Sequence, residues 1–252
     1  LSFHDHEPVL TLEGSDPTAN QAVLSIMKKV TESKQPSNSP QPKIHYLHGN
    51  ADLTSFDNLG PVLLGFFVFF FVFLIAGVSF LRERTTGTLE RLLASPLRRG
   101  ELVGGYLRGF GLFTILQSGL IVWYSVYILD MWMVGSFWYV LLITLLLALT
   151  ALSLGTLLSA FANNELQMIQ FIPLVIVPQV FFSGLFNLET ISDWVSWIGP
   201  ITPLYYGADA LREIMLRNGG WADIALDVGV LCIFAVLFTT LNVLALRKYR
   251  RL

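Results

Sequence analysis

Long apolar runs without charged residues alternate with short polar segments along most of this chain. An α-helix needs about 20 mostly apolar residues to cross the hydrocarbon core of a bilayer. The pattern therefore predicts an all-α polytopic membrane protein with five transmembrane helices, at 61–81, 109–129, 137–160, 168–187 and 223–246. The composition agrees, because 54% of the residues are apolar and only 13% are charged. Two prolines in the fourth run, Pro173 and Pro178, predict a kink there.

Residues 1–60 differ from the rest of the chain, because they are polar and slightly acidic. A short apolar stretch at 9–12 predicts a strand, and apolar residues near helical spacing predict a helix at 20–32. We expect this segment to be part of a small α/β domain outside the cytoplasm. The chain starts in this polar stretch without a methionine, and we expect a further part upstream.

Basic residues gather at two places beside the apolar runs. Segment 82–108 holds six arginines and three glutamates, and the tail at 247–251 holds four basic residues and no acidic one. Basic segments next to membrane helices stay in the cytoplasm. If 82–108 is inside, five spans also put the tail inside and leave 1–60 and 188–222 outside. The sequence thus predicts a multi-pass protein of the plasma or inner membrane, with a permease domain at 61–252.

The basic segment also contains the pattern of a short amphipathic helix. Leu89, Leu92 and Leu93 lie at positions i, i+3 and i+4, so that they share one helical face. A threonine before them can cap the helix, and Pro96 ends it, since the residue before proline avoids the helical conformation. From the residues alone two interpretations stay open. The helix docks a cytoplasmic partner, or it only anchors the loop at the membrane surface.

Two separated motifs resemble the permeases of type-2 ATP-binding-cassette (ABC) transporters. The cytoplasmic loop reads Glu-x-x-x-Gly-Thr-Leu-Glu-x-Leu-Leu-x-x-Pro from Glu83 to Pro96. The second motif follows in and after the fourth span, as Phe-Ser-Gly at 182–184, Gly-Pro-Ile-Thr-Pro-Leu-Tyr-Tyr at 199–206 and Ala-Asp-Ala-Leu-Arg at 208–212.

The stretch at 13–17 resembles the outer domain of the drug- and antibiotic-exporter branch of this family. The family usually has six spans, which implies six in the complete protein and a first span upstream of Leu1. The resemblance also implies two permease chains per transporter, either identical or different.

The resemblance implies that the loop is a coupling helix, which docks on a separate cytoplasmic ABC ATPase subunit. That subunit would bind ATP and magnesium. This chain has no Gly-x-x-x-x-Gly-Lys-[Ser/Thr] phosphate-binding loop, and we expect it to hold no cofactor and no catalytic residue. The implied coupling residues are Glu83, Arg84, Gly87, Thr88, Leu89, Glu90, Arg91, Leu92, Leu93 and Pro96.

Two further sets of residues are candidates for transport. Polar and aromatic residues within spans predict a translocation pathway, although hydrogen bonding between helices is the commoner role of such polar groups. This set comprises Phe70, Gln117, Gln170, Gln179 and Phe182. The outer segment 188–222 either re-enters the membrane or lies at its interface. The expected outer gate residues are Gly184, Pro200, Pro203, Tyr206 and Arg212.

The sequence therefore predicts the permease subunit of an ABC exporter that moves a hydrophobic or amphipathic compound outward. The alternatives are an exporter of lipid or polysaccharide and a membrane-anchored sensor or assembly protein. Besides the ATPase and the second permease chain, we expect contacts with membrane lipid and with the substrate, and none with nucleic acid. The histidine pairs His4/His6 and His45/His48 have metal-ligand spacing but no cysteine beside them, and we expect no metal site.

Overall fold

A computed structural model describes residues 2–4, 7–12, 17–34, 43–46, 55–88, 91, 99–185 and 198–245. The first part contains three short strands and one helix: β1 Ser2–His4, β2 Glu7–Leu12, α1 Pro17–Lys34 and β3 Lys43–Tyr46. Strand β2 lies between the other two strands, antiparallel to β1 and parallel to β3. The strand expected at 9–12 lies within β2, and the helix expected at 20–32 lies within α1. The elements are too few to show an independent α/β domain, which stays a prediction.

The remaining described residues are almost entirely helical. Five helices are long and apolar enough to cross a membrane, which confirms the five predicted spans. They are α2 Ser55–Thr85, α3 Arg99–Tyr127, α4 Phe137–Ser159, α5 Glu165–Val180 with the π-helical turn Phe181–Leu185, and α7 Trp221–Ala245. A 3₁₀ turn at Gly199–Ile201 and the shorter helix α6, Pro203–Arg217, lie between α5 and α7.

Helix α4 is the centre of the bundle. In its most apolar stretch 67% of the residues are buried, whereas the figure is 22% for both α3 and α7. Helix α4 packs against α2 most extensively, and also against α3, α6 and α7. The outer faces of α3 and α7 expose large apolar side chains such as Leu112, Leu116, Leu120, Ile233 and Val236. Such faces suit lipid or another membrane helix, because water does not solvate them.

Two glycines set the distance between α2 and α4. A Cβ atom built on Gly155 would lie 2.6 Å from the carbonyl oxygen of Phe73 and 3.3 Å from the amide nitrogen of Gly77. The two backbones therefore touch at this crossing, as small residues permit in membrane helices. Larger side chains fill the space around the contact, and Phe69, Phe73 and Leu147 are fully buried.

Polar side chains join α4 to α7 inside the bundle. The Asn242 amide donates to the carbonyl oxygen of Ser153 at 2.7 Å and to the Thr156 hydroxyl at 3.1 Å. The hydroxyls of Ser153 and Thr239 lie 3.1 Å apart. Buried polar groups are costly unless they are hydrogen-bonded, and these groups satisfy one another. The seam therefore fixes the register of α7 on α4.

We expect Gly155→Ala to lower the free energy of unfolding by about 1–3 kcal/mol, because the new methyl group would overlap a backbone carbonyl that cannot rotate away. The matched control is Gly119→Ala, since no atom lies within 4 Å of a Cβ built at that position of α3. Thermal unfolding of the purified full-length protein in detergent measures both variants. Equal melting temperatures for the two variants would show that the α2–α4 contact has been misplaced.

Candidate functional site

The carboxyl end of α2 turns into the basic loop. Gly87 has a positive φ of 77°, a conformation that glycine adopts without strain. Its amide donates to the carbonyl oxygen of Arg84 at 3.2 Å, and its own carbonyl accepts from the amide of Arg91 at 3.2 Å. The second bond spans four residues, as in an α-helix. The Thr86 hydroxyl bonds the carbonyl of Arg82 at 2.9 Å. The loop thus restarts a helical turn directly after α2 has ended.

Arg84 joins this turn to the end of α4. Its guanidinium donates to the carbonyl oxygens of Ser159 at 3.0 Å and Ala160 at 2.8 Å, and also to that of Ala162. The last carbonyls of a helix have no partner within the helix and carry partial negative charge. A single half-buried cation therefore satisfies several acceptors at the carboxyl end of α4. Nothing in the local sequence indicated this contact, because its partners are 75 to 78 residues away.

The neighbouring charges connect α2 to α5 and α3. The Arg82 guanidinium lies 3.2 Å from the Glu165 carboxylate in the first turn of α5, and both side chains are largely exposed. On the other side of α2, the Tyr106 hydroxyl of α3 donates to the Glu83 carboxylate. The Tyr106 ring also packs edge-on against Phe80, with 4.9 Å between ring centroids. Three consecutive residues at the end of α2 thus contact three different helices.

The turn between α4 and α5 has its own hydrogen-bonded cap. The Asn164 side chain accepts from the amide of Gln167 at 2.8 Å, and the Gln167 side chain accepts from the amide of Asn163 at 2.8 Å. This pair resembles a capping box, except that Gln167 accepts from the residue before the N-cap, and it satisfies free amides at the start of the helix. The motif stands in the sequence as Asn-Asn-Glu-Leu-Gln at 163–167, where it could have been found from sequence alone.

The structure describes only part of the predicted coupling segment. Thr88 and Arg91 are exposed, as is expected of a docking surface. Predicted coupling residues outside the described part are Leu89, Glu90, Leu92, Leu93 and Pro96. The amphipathic face of the coupling helix therefore stays a prediction.

At the other end of the bundle the predicted outer gate residues meet in pairs. The carbonyl oxygen of Gly184, which has a φ of 81°, accepts from the Arg212 guanidinium at 3.1 Å. The Tyr206 hydroxyl donates to the carbonyl oxygen of Pro200 at 3.0 Å. Pro203 is buried at the first position of α6, where its missing N–H costs nothing. The two motifs around Gly184 and Arg212 thus form one local structure, and a gating role stays a prediction.

The structure places the five predicted pathway residues in different surroundings, and their role in transport stays a prediction. Gln170 is exposed, and the Gln117 amide has no hydrogen-bond partner among the described residues. Phe182 is buried with its ring near Phe181, and Phe70 stacks on Phe66 with 5.6 Å between centroids.

Gln179 has a structural contact of its own. Its side chain is 3% exposed and its carbonyl oxygen accepts from the amide of Leu204, in the first turn of α6, at 3.2 Å. Free amides at a helix start need such an acceptor when they are buried. Gln179 therefore joins α5 to α6.

The family model described as "ABC-2 family transporter protein" matches residues 2–244. The chain belongs to the ABC-2 transporter family. This finding confirms the resemblance of the two motifs, and it agrees with the five apolar helices in marking a multi-pass membrane protein.

Curated relatives of this ABC-2 chain are themselves ABC transporters. It is 30% identical to ABC transporter G family member 20 of Dictyostelium discoideum, over 69% of this chain and 24% of the relative. It is 21% identical to "Probable multidrug ABC transporter permease YbhR" of Escherichia coli, over 87% of this chain and 60% of the relative. It is 24% identical to the linearmycin resistance permease protein LnrN of Bacillus subtilis, over 73% of this chain and 48% of the relative. The chain thus spans between a quarter and three-fifths of the length of these relatives.

Removal of the Arg84 guanidinium should loosen the end of α4. In Arg84→Ala we expect faster amide hydrogen exchange in 159–166, because a charged donor contributes about 1.5–3 kcal/mol to such bonds. The control Arg82→Ala should change exchange much less, since an exposed ion pair contributes only about 0–1 kcal/mol. The measurement is mass-spectrometric hydrogen exchange in nanodiscs. Similar exchange in the two variants would contradict the capping role of Arg84.

Gln179→Leu should destabilise the protein by about 1–3 kcal/mol, since the buried amide of Leu204 would lose its acceptor. The matched control is Gln170→Leu, which makes the same change at an exposed position of the same helix. Melting temperatures of the two purified variants make the comparison. If the Gln170 variant has a melting temperature equal to or below that of the Gln179 variant, the hydrogen bond between Gln179 and Leu204 does not stabilise the protein as proposed.

Proposed function

We propose that this chain is the permease subunit of an exporter that moves a hydrophobic or amphipathic compound out of the cell, driven by ATP hydrolysis on a separate ATPase subunit. The observation that carries the proposal is the Gly-Thr-Leu-Glu loop, which follows an α2 end that is bonded to α3, α4 and α5. The names of the relatives, a multidrug permease and an antibiotic-resistance permease, support a drug as the class of substrate.

In the proposed mechanism the loop receives the movement of the ATPase. Closure of two ATPase subunits around ATP and magnesium displaces the two coupling helices, one from each permease chain. The guanidinium of Arg84 passes this displacement to the carboxyl end of α4, and the turn capped by Asn164 connects that end directly to α5. Because α4 is the packed centre of the chain, its displacement reorients the bundle as a body. This chain supplies positions and contacts, and no catalytic group.

The proposed orientation puts both basic clusters in the cytoplasm. A small apolar cluster of Phe80, Leu102 and Val103 packs against Val243, so that the ends of α2 and α7 and the start of α3 lie together. The arginine-rich loop and the basic tail thus extend from one end of the bundle, which supports the positive-inside assignment. Residues 1–60 and 188–222 are then extracytoplasmic.

We propose that the outer segment re-enters the membrane from outside and returns through α6. The carboxyl end of α6 lies at the outer rim, where the carbonyl of Met215 accepts from the amide of Val134 at 3.0 Å. Its middle lies deeper, since a Cβ on Gly207 would be 3.0 Å from the Leu147 side chain, about 15 Å along α4 from Phe137. Fifteen residues cover only about 22 Å, which is too short for a span.

A changed charge in the coupling motif should uncouple the permease from the ATPase subunit. In a co-expressed transporter we expect Glu90→Lys or Leu92→Asp to abolish drug-stimulated ATPase activity and export, while the chain stays in the membrane. Asn163→Lys, which also introduces a lysine but at the exposed α4–α5 turn, is the control and should keep most activity. Export and ATPase stimulation in inverted vesicles are the measurements. Normal coupling in both motif variants would refute the proposed docking.

A further inference from the structure

An open groove of about 430 Å³ lies between α2 and α3 near the inner end of the bundle. Ile75 and Glu83 of α2 line one side, and Tyr106, Phe110 and Phe113 of α3 line the other. Ile75 and Glu83 are eight positions apart, which corresponds to about 12 Å along the helix. The groove thus runs from a polar inner end, at Glu83 and Tyr106, to an apolar end deeper in the membrane.

Two glycines keep the groove open. Gly105 and Gly109 lie four residues apart, and therefore on the same face of α3. No atom lies within 4 Å of a Cβ built on either residue, so that a larger side chain would point into free space there. The volume is within the range of about 300–1,000 Å³ that small-molecule sites have in proteins.

The polar end carries one negative charge. Among the described residues, the Glu83 carboxylate accepts a hydrogen bond from the Tyr106 hydroxyl through one oxygen and makes no ion pair. The neighbouring arginines are directed elsewhere, Arg82 to Glu165 and Arg84 to the end of α4. A carboxylate at the edge of a low-dielectric groove attracts a cation and repels an anion more strongly than it would in water.

We propose that this groove binds amphipathic cations from the inner leaflet, with the positive group at Glu83 and the apolar body against Phe110 and Phe113. The proposal deepens the proposed exporter function and rests on it for the fate of the bound compound. The apolar walls hold the hydrophobic part, and the free oxygen of Glu83 selects the sign of the charge. Tyr106 positions the carboxylate by its hydrogen bond.

The test uses two probes of nearly equal size and shape but opposite charge, tetraphenylphosphonium and tetraphenylborate. Binding is measured without ATP, to the full-length protein with its co-expressed partners in phosphatidylcholine nanodiscs. We expect tetraphenylphosphonium to bind and tetraphenylborate not to compete. Glu83→Gln and Gly109→Leu should each weaken tetraphenylphosphonium binding at least about tenfold, the effect of about 1.4 kcal/mol.

The controls make the same changes outside the groove. Glu101→Gln removes another carboxylate at the same end of α3, and Gly104→Leu adds the same side chain at a glycine that does not line the groove. Both should bind tetraphenylphosphonium like the unmodified protein. Melting temperatures show that all four variants are folded.

The outcomes separate the groove from the exporter function. Charge-selective binding that depends on Glu83 and Gly109 supports the groove, even if the assembly exports nothing. Equal binding of the two probes, or binding that neither groove variant weakens, overturns the proposal. An assembly that exports drugs while its groove variants bind tetraphenylphosphonium normally would leave the exporter function intact and remove the groove.

Discussion

The backbone contact between α2 and α4 is the constraint on which the rest of the bundle depends. At Gly77 and Gly155 no side chain separates the helices, so that they form one unit. Close packing in a bilayer relies on such small residues, because apolar burial gives helices little advantage over lipid. Helices α6 and α7 then pack on this pair, α7 through the hydrogen bonds of Asn242. Helix α3 packs more on α4 than on α2, and the groove beside Glu83 lies between α2 and α3.

The proposed ATPase would act at the end of the same pair where the arginine-rich loop begins. The Arg84 side chain joins the end of α2 to the last carbonyls of α4 by hydrogen bonds. Helix α5 begins directly after this end, at the cap formed by Asn164 and Gln167. Force applied to the loop therefore meets the most buried helix of the chain first. At the other end of α5, hydrogen bonds of Gln179 and Arg212 join α5 and the π-helical turn after it to α6. Both ends of α5 are thus bonded to neighbouring elements.

The sequence predicts the spans and their family well, because apolar length, charge clusters and motifs are local properties. It does not reveal the contacts that organise them. Arg84 and Ser159 are 75 residues apart, and nothing near Arg84 indicates a carbonyl acceptor. As a polar residue in an apolar span, Gln179 is a candidate for the pathway from sequence. Its hydrogen bond with the amide of Leu204 is seen only in the fold. The groove requires α2 and α3 to be placed side by side, which periodicity cannot do. Helix α5 continues through Pro173 and Pro178 to Val180, with the π-helical turn after it, and the kink at the prolines stays a prediction.

In the proposed mechanism the start of the coupling loop and the carboxyl end of α4 move as one body. Spin labels at Thr88 and Phe161, both exposed, test it by pulsed electron resonance in the assembled transporter, with Cys232 replaced by serine. We expect the same Thr88–Phe161 distance in the nucleotide-free and the vanadate-trapped states, while the distance between the two Thr88 positions of a permease pair changes. A Thr88–Phe161 distance that shifts with nucleotide would contradict it.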